Sequence, residues 1–155
     1  RQWQEALEQE SSGMDATDHF GTVGAVARDA NGNLAAATST GGMTNKRWNR
    51  IGDSPVIGAG TYANAHCAVS GTGWGEFYIR TCAAHAICMR VANGKPPASA
   101  AEAVINREIP ELGGSGGAIV LGRDGRFALP FNTQGMYRGW IGADRVAHVA
   151  IRRGE

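Results

Sequence analysis

The chain has 155 residues, 43% of them hydrophobic and 19% charged, a composition that is typical of one globular domain and excludes a disordered protein. Fifteen basic and fourteen acidic side chains leave a net charge of +1, so we expect no nucleic-acid partner, and the apolar stretches are far shorter than the roughly 20 residues of a membrane span. The three cysteines have no metal-type spacing, and the first residues do not resemble a signal peptide. Both observations predict a reducing, cytoplasmic setting.

The first predicted elements are a helix and a β-hairpin. Residues 1–12 contain helix formers, whereas residues 14–21 are polar and mixed. Residues 23–27 and 34–38 then predict two strands joined at Asn31-Gly32, the strongest short hairpin signal. Because a hairpin brings the ends of its arms together, we expect Thr22 to lie beside residues 38–40.

The rest of the chain predicts short strands on either side of two helices. The longest helix is predicted at residues 76–92, where apolar side chains recur every four residues, and a Ser99-Glu102 capping box predicts a second helix to about residue 108. Further strands are predicted at residues 56–60, 66–70, 118–121, 126–129 and 146–151, the third and fourth forming a hairpin over Asp124-Gly125. This order predicts an α+β fold in which a helical layer covers one face of the sheets.

Glycine is abundant, and one cluster of it is a candidate anion site. Glycine makes up 23 of 155 residues, and its clusters indicate backbone packed tightly around a site. The Gly71-Thr72-Gly73-Trp74-Gly75 turn lies between a predicted strand and helix but lacks dinucleotide or phosphate-loop spacing. Its backbone N–H groups suit either a tight turn or an oxyanion. The four histidines are scattered, so no metal site is predicted.

Two further features carry candidate chemistry. Arg50 and Asp53 form either a simple ion pair or a clamp for the α-carboxylate and α-amine of an amino acid. Thr22 is either an ordinary strand-opening residue or a nucleophile released by cleavage of the Gly21–Thr22 bond. In the second case its own α-amine, with an ordinary pKa near ~7.7–8.0, serves as the general base, and the hydroxyl of Thr38 or Thr40 lies nearby.

Seven ordered motifs carry a resemblance to a known family. They are Gly21-Thr22-Val23-Gly24-Ala25-Val26, Ala36-Ala37-Thr38-Ser39-Thr40-Gly41-Gly42, Asn45-Lys46, Arg50-Ile51-Gly52-Asp53-Ser54-Pro55, Gly58-Ala59-Gly60, Thr72-Gly73-Trp74-Gly75-Glu76 and Leu129-Pro130-Phe131-Asn132-Thr133. Together they resemble the plant-type L-asparaginase/isoaspartyl peptidase family of N-terminal-nucleophile hydrolases. The resemblance implies that residues 22–155 correspond to the β-subunit catalytic domain and residues 1–21 to the tail of the α segment before the self-cleavage point.

The resemblance also implies roles for individual residues of the reaction. Thr22 matches the catalytic nucleophile, which is released by cleavage between Gly21 and Thr22. Thr40 matches the second threonine, whose hydroxyl supports that nucleophile. Thr72 and Gly73 match the oxyanion hole, which they form with a side-chain hydroxyl and a backbone N–H group.

Substrate binding is implied for the neighbouring segments. Arg50 matches the clamp for the substrate carboxylate, and Asp53 matches the group that holds the substrate α-amine. Gly75 belongs to the same substrate-binding turn as Thr72 and Gly73. The implied activity is hydrolysis of the β-amide of L-asparagine and of isoaspartyl dipeptides.

The resemblance finally implies an architecture and an assembly. The family fold is a four-layer αββα sandwich, assembled with the α subunit into a dimer of αβ units. No cofactor is expected, and a structural sodium site is expected on the α segment rather than on this chain. Two alternatives stay open, namely a glycosylasparaginase-type amidase and an uncleaved, catalytically silent fragment that needs the α segment.

Overall fold

The structure is a computed structural model that describes residues 20–43, 46 and 49–154. The helix predicted at residues 1–12 and most of the polar segment at residues 14–21 lie outside the described residues. The described strands are β1 (Phe20–Arg28), β2 (Leu34–Met43), β3 (Thr61–Ala63), β4 (Cys67–Gly73), β5 (Gly116–Gly122), β6 (Phe127–Ala128), β7 (Arg138–Ile141) and β8 (Ala147–Ala150). The helices are α1 (Gly75–Thr81), α2 (Ala83–Ala92), α3 (Pro97–Ala103), a π-helical segment at Val104–Glu108, and α4 (Ile109–Glu111).

Strands β1 and β2 form the predicted hairpin. The Asp29 carboxylate closes the connection by accepting hydrogen bonds from the backbone N–H groups of Asn31 at 2.9 Å and Asn33 at 2.8 Å. Such an Asp-centred turn holds the chain reversal without help from the rest of the protein. The register pairs Thr22 with Thr40, which confirms that the two ends of the hairpin meet.

The other strands form a four-stranded antiparallel sheet in the order β3-β4-β5-β6 and a separate β7-β8 hairpin. Strands β4, β5, β6 and β8 confirm the predicted strands, whereas β3 and β7 were not predicted. The strand predicted at residues 56–60 is wrong, since this segment is a turn. The N–H groups of Val56 and Gly60 both donate to the Asp53 carbonyl oxygen, at 2.9 and 3.1 Å. Amides used in a turn are not available to a strand ladder.

The helix predicted at residues 76–92 is broken in two. Cys82 adopts a left-handed conformation, with φ of 46°, between α1 and α2, and its side chain is exposed rather than part of the core. The break lets the first N–H groups of α2 donate to a neighbouring loop, from Ala84 to Ala59 O at 3.0 Å and from His85 to Gly58 O at 2.9 Å. These bonds satisfy groups that a helix start leaves unpaired, and sequence periodicity does not report them.

The second predicted helix begins three residues earlier than its capping box indicates. Pro97 occupies the first helical position of α3, where a missing N–H group costs nothing. Ser99 therefore lies inside the helix and is not its N-cap. The helix continues through the π-helical segment into α4 and ends at Glu111.

The sheet separates the helices from the β1–β2 hairpin. Side chains on one face of the sheet pack with the helices, as Val69 does with Ile87 and Ile105, and all three are at most 1% exposed. On the opposite face of β4, Ser70 is hydrogen-bonded to Thr38 of the hairpin. The described chain is therefore an α+β fold with hairpin, sheet and helices in successive layers. Among its described residues, no helix is long and apolar enough to cross a membrane.

Candidate active site

Thr22 and Thr40 face one another on the paired strands of the hairpin. The Thr22 hydroxyl donates to Thr40 Oγ1 at 3.2 Å, and the Gly42 N–H group donates to the same oxygen at 2.9 Å. Thr40 in turn donates to the Gly21 carbonyl oxygen at 3.5 Å. Its hydroxyl thus uses its one proton and both lone pairs. The pairing register of the two strands shifts between Phe20 and Thr22. Such shifts, or β-bulges, are common next to functional sites.

Thr72 lies across a narrow crevice from Thr22. Both residues line a cavity of about 70 Å³ between the hairpin and the four-stranded sheet. The backbone turns sharply after Thr72, since Gly73 has φ of +146°, a conformation that favours glycine. A Cβ on Gly73 would also overlap the Ser115 carbonyl oxygen. The structure therefore brings the predicted nucleophile and the predicted oxyanion turn together in one cavity.

Arg50 forms an ion pair with Glu76, the second residue of α1. The Arg50 side chain is 34% exposed and that of Glu76 is 46% exposed. An ion pair at this exposure contributes about 0–1 kcal/mol. Because a carboxylate already occupies the guanidinium at so small a gain in energy, an incoming carboxylate is able to exchange with it. The simple Arg50–Asp53 ion pair expected from sequence is therefore not the one that forms, and Glu76 carries no role that its sequence position predicts.

Asp53 is a buried carboxylate, with 6% of its surface exposed. Its Oδ2 atom is buried and has no hydrogen-bond partner within the part of the chain that the structure describes. Burial raises the pKa of Asp53, against the opposing effects of its own backbone N–H group and the Arg50 charge. A buried carboxylate with an unpaired oxygen is costly. A cation that donates hydrogen bonds would remove that cost.

Two glycines bound the Asp53 carboxylate. A Cβ on Gly75 would lie 2.6 Å from Asp53 Oδ1, and a Cβ on Gly60 would overlap Oδ2. Only a residue without a side chain leaves the carboxylate in place at either position. The structure thus brings Gly75 and Asp53 together, as expected if both belong to one binding site.

A second hollow in the described part of the chain contains none of the predicted site residues. This open hollow of about 530 Å³ lies against the β7–β8 hairpin, lined by Tyr137, Arg138, Gly139, Val149, Ala150 and Ile151. Across residues 20–43, 46 and 49–154, no group of three or more His, Cys, Asp or Glu side chains is placed to hold a metal ion.

Comparison with known proteins gives the family. The family described as "Asparaginase" matches residues 1–151. An isoaspartyl peptidase of Salmonella typhimurium (strain LT2) is 56% identical over 137 residues, covering 87% of this chain and 44% of its own length. The Escherichia coli (strain K12) isoaspartyl peptidase is 54% identical over 136 residues, covering 86% of this chain and 42% of its own. The chain belongs to the asparaginase family.

Matches extend beyond bacteria. An isoaspartyl peptidase/L-asparaginase of Xenopus laevis is 39% identical over 156 residues, which cover 100% of this chain and 50% of that protein. The chain thus spans half or less of the length of these relatives.

Proposed function

We propose that this chain is the β-subunit part of an amidohydrolase that uses an N-terminal threonine to hydrolyse the β-amide of L-asparagine and of isoaspartyl dipeptides. One observation carries the proposal. The Thr22 hydroxyl is hydrogen-bonded to Thr40 at 3.2 Å and shares a cavity with Thr72. The relatives named isoaspartyl peptidase and isoaspartyl peptidase/L-asparaginase support the substrate class.

The nucleophile requires cleavage of the Gly21–Thr22 bond. In the continuous chain the Thr22 nitrogen is a peptide amide, which does not accept a proton. Cleavage converts it into an α-amine with an ordinary pKa of about 7.7–8.0, well matched to a general base near neutral pH. In this proposal the hydroxyl of Thr22 attacks the Gly21 carbonyl, and hydrolysis of the resulting ester releases the new N-terminus.

Binding and turnover use the buried and half-buried groups around the cavity. Arg50 exchanges Glu76 for the substrate α-carboxylate, and Asp53 receives the α-ammonium group, whose positive charge compensates the buried carboxylate. The substrate α-amino acid is thereby fixed at one end, which leaves its β-carbonyl free to reach Thr22.

The reaction itself passes through a tetrahedral intermediate. Thr22 Oγ1 attacks the β-carbonyl carbon as the α-amine takes its proton, and the new oxyanion is held by the Thr72 hydroxyl and the Gly73 N–H group. The amide C–N bond then breaks, and ammonia or an amino acid leaves with the proton. Water hydrolyses the aspartyl ester by the same route, so the reaction needs no cofactor.

The proposal extends to architecture and assembly. The outer face of the β1–β2 hairpin carries apolar side chains without cover among the described residues, including Val23 at 74% exposure. A further layer on this face would complete the four-layer αββα sandwich, with residues 22–155 as the β subunit and residues 1–21 as the tail of the α segment. An α subunit, a dimer of αβ units and a cytoplasmic setting are parts of the same proposal.

Substitution of Thr22 in the complete protein tests the proposal. Thr22→Ala removes the hydroxyl needed for both reactions, so we expect an uncleaved chain by mass spectrometry and no hydrolysis of asparagine or isoaspartyl-leucine. Thr22→Ser retains part of both activities, and Thr81→Val, whose hydroxyl is bonded to the Phe77 carbonyl oxygen within α1, is the matched control with parental rates. Cleavage between residues 21 and 22 in Thr22→Ala would overturn the proposal.

The same assay separates the alternatives when a glycosylated asparagine is added as a third substrate. A glycosylasparaginase-type amidase would process itself and release aspartate from a glycosylated asparagine faster than from either test substrate. A silent fragment would stay uncleaved in the parent protein and hydrolyse none of them.

A further inference from the structure

Three hydroxyl side chains meet between the hairpin and the four-stranded sheet. We call Thr38, Thr61 and Ser70 the hydroxyl cluster. Thr38 belongs to β2, Thr61 begins β3, and Ser70 lies in the middle of β4, where it is 4% exposed. None of the three is a substrate-binding or reacting group in the proposed mechanism.

Hydrogen bonding in the cluster converges on Thr38. Thr61 donates its hydroxyl proton to Thr38 Oγ1, and Ser70 Oγ lies 2.6 Å from the same atom. Thr38 donates its own proton to the Gly60 carbonyl oxygen at 3.1 Å. With Ser70 as a second donor, the Thr38 hydroxyl uses its one proton and both lone pairs, so the arrangement is fully satisfied.

Two members of the hydroxyl cluster lie two residues before reacting groups on the same strands. Side chains two residues apart on a strand lie on the same face. Thr40 follows Thr38 by two residues on β2, and Thr72 follows Ser70 by two residues on β4. The hydrogen bond between Thr38 and Ser70 therefore joins β2 to β4, two residues away from Thr40 and Thr72 and on the same faces of these strands.

The nucleophile strand approaches this junction closely. Gly24 pairs with Thr38 across the hairpin, two residues after Thr22. A Cβ on Gly24 would overlap the Ser70 hydroxyl oxygen. Since nothing larger than hydrogen separates β1 from Ser70, the position of the hydroxyl cluster sets how near Thr22 lies to the sheet.

The junction also reaches the carboxylate that receives the substrate amine. The Gly60 carbonyl oxygen, which accepts from Thr38, accepts a second bond from the Gly71 N–H group at 2.8 Å. The Gly60 N–H group donates to the Asp53 carbonyl oxygen at 3.1 Å. A single residue, Gly60, therefore links Thr38 to the Asp53 loop and to the strand that leads into Thr72.

We propose that Thr38 is a positioning residue for the reaction. Its hydroxyl holds the nucleophile strand, the oxyanion strand and the Asp53 loop at fixed separations. The inference rests on the proposed function, because it concerns the geometry between Thr22 and Thr72. Displacement of a reacting group by about 1 Å can cost on the order of 100-fold in rate. The loss should fall on kcat, because the Asp53 loop keeps its own backbone hydrogen bonds from Val56 and Gly60, so both Arg50 and Asp53 remain available to bind substrate.

The test compares Thr38→Val with Thr38→Ser in the complete, processed protein. Valine keeps the branched shape and removes the hydroxyl, so we expect kcat per processed chain to fall about 10- to 100-fold, with KM within about twofold of the parent. Serine keeps the hydroxyl and should restore most of kcat. Thr81→Val is the matched control, because its hydroxyl is bonded to the Phe77 carbonyl oxygen within α1, away from the cavity.

Several results would overturn the inference. A parental kcat in Thr38→Val, or a valine variant that loses only thermal stability, would show that the hydroxyl has a structural role alone. An equal fall in kcat in Thr81→Val would show a general loss of folded protein. Should Thr38→Val fail to fold, Ser70→Ala removes a single partner from the cluster, and an unchanged kcat in that variant refutes the inference. A parent protein unable to hydrolyse either substrate would instead refute the proposed function.

Discussion

Replacement of Asp53 by asparagine should make the protein more stable and less active. The carboxylate is 6% exposed, and its Oδ2 atom has no partner in the described part of the chain. Asparagine has nearly the same size and fits between Gly60 and Gly75. It carries no charge, so its burial costs less free energy than burial of a carboxylate. We therefore expect Asp53→Asn to unfold at a higher temperature than the parent at pH 7.

The pH dependence of this gain follows from the sign of the pKa shift. Burial raises the pKa of Asp53 in the folded protein above the ordinary value of 3.8. The folded state then binds more protons than the unfolded state between these two values, so the parent loses stability as pH rises through that window. The variant has no such group. Its advantage is absent below pH 3.8, grows as pH rises through the window, and is constant above the folded pKa.

The loss of activity follows from the substrate ammonium group. A hydrogen bond to a charged partner contributes about 1.5–3 kcal/mol, which corresponds to about 10- to 150-fold in kcat/KM. We expect this loss in Asp53→Asn, mainly as a higher KM, because the ammonium is bound in the ground state and the transition state alike. For the gain in stability described above, each kcal/mol added to the free energy of unfolding raises the melting temperature of Asp53→Asn by roughly 2–4 °C in a domain of this size.

The assays are thermal unfolding between pH 3.5 and 8 and steady-state hydrolysis of asparagine, both in the complete protein. Asp124→Asn is the matched control. Asp124 is exposed, and hydrogen bonds from the Arg126 backbone and side chain lower its pKa, so its replacement should bring no gain in stability and no change in kcat/KM. A less stable Asp53→Asn protein at pH 7, or one with parental KM, would refute the reasoning.

Three further substitutions probe the site and the core. Thr40→Val should lower kcat about 5- to 10-fold, the net contribution of its hydrogen bond with Thr22, whereas the kcat of Thr40→Ser should stay close to parental. If steady-state kinetics find the same kcat in both variants, Thr40 does not support the nucleophile. Gly75→Ala places a Cβ 2.6 Å from Asp53 Oδ1 and should weaken aspartate binding by calorimetry, and unchanged binding would argue against the contact. Ile87→Ala should lower the free energy of unfolding by about 2–5 kcal/mol in urea, and Ile79→Ala, at 36% exposure, by much less; equal losses would be inconsistent with the core.

Local signals predicted the elements that depend on neighbouring residues. The turns at Asn31-Gly32 and Asp124-Gly125 each lie between paired strands, because their chemistry fixes the chain reversal locally. The break at Cys82 was missed, since its cause is distant in sequence. The amides freed there bond to carbonyls of a loop more than 20 residues earlier, and periodicity within a helix carries no trace of such partners.

The site was predictable where a motif is contiguous and less so where partners meet through folding. The resemblance assigned roles to Thr22 and Asp53 from short ordered runs of sequence. It did not reveal the ion pair of Arg50 with Glu76, which joins residues 26 positions apart. The abundance of glycine was an early indication of close packing around the site, and Gly75 beside Asp53 is one instance. The composition indicates that some side chains pack directly against glycine backbone, but it does not show which side chain packs against which glycine.

In the proposed mechanism the Thr40 hydroxyl serves both reactions of Thr22. Before cleavage it accepts a hydrogen bond from the Thr22 hydroxyl at 3.2 Å and donates one to the Gly21 carbonyl oxygen at 3.5 Å, so it contacts both the attacking oxygen and the carbonyl under attack. A donor on that carbonyl strengthens as negative charge develops on its oxygen. Departure of Gly21 then leaves the Thr40 proton free for the released threonine. Loss of this hydroxyl should therefore slow self-cleavage and substrate hydrolysis together, which no residue on the substrate side alone would do.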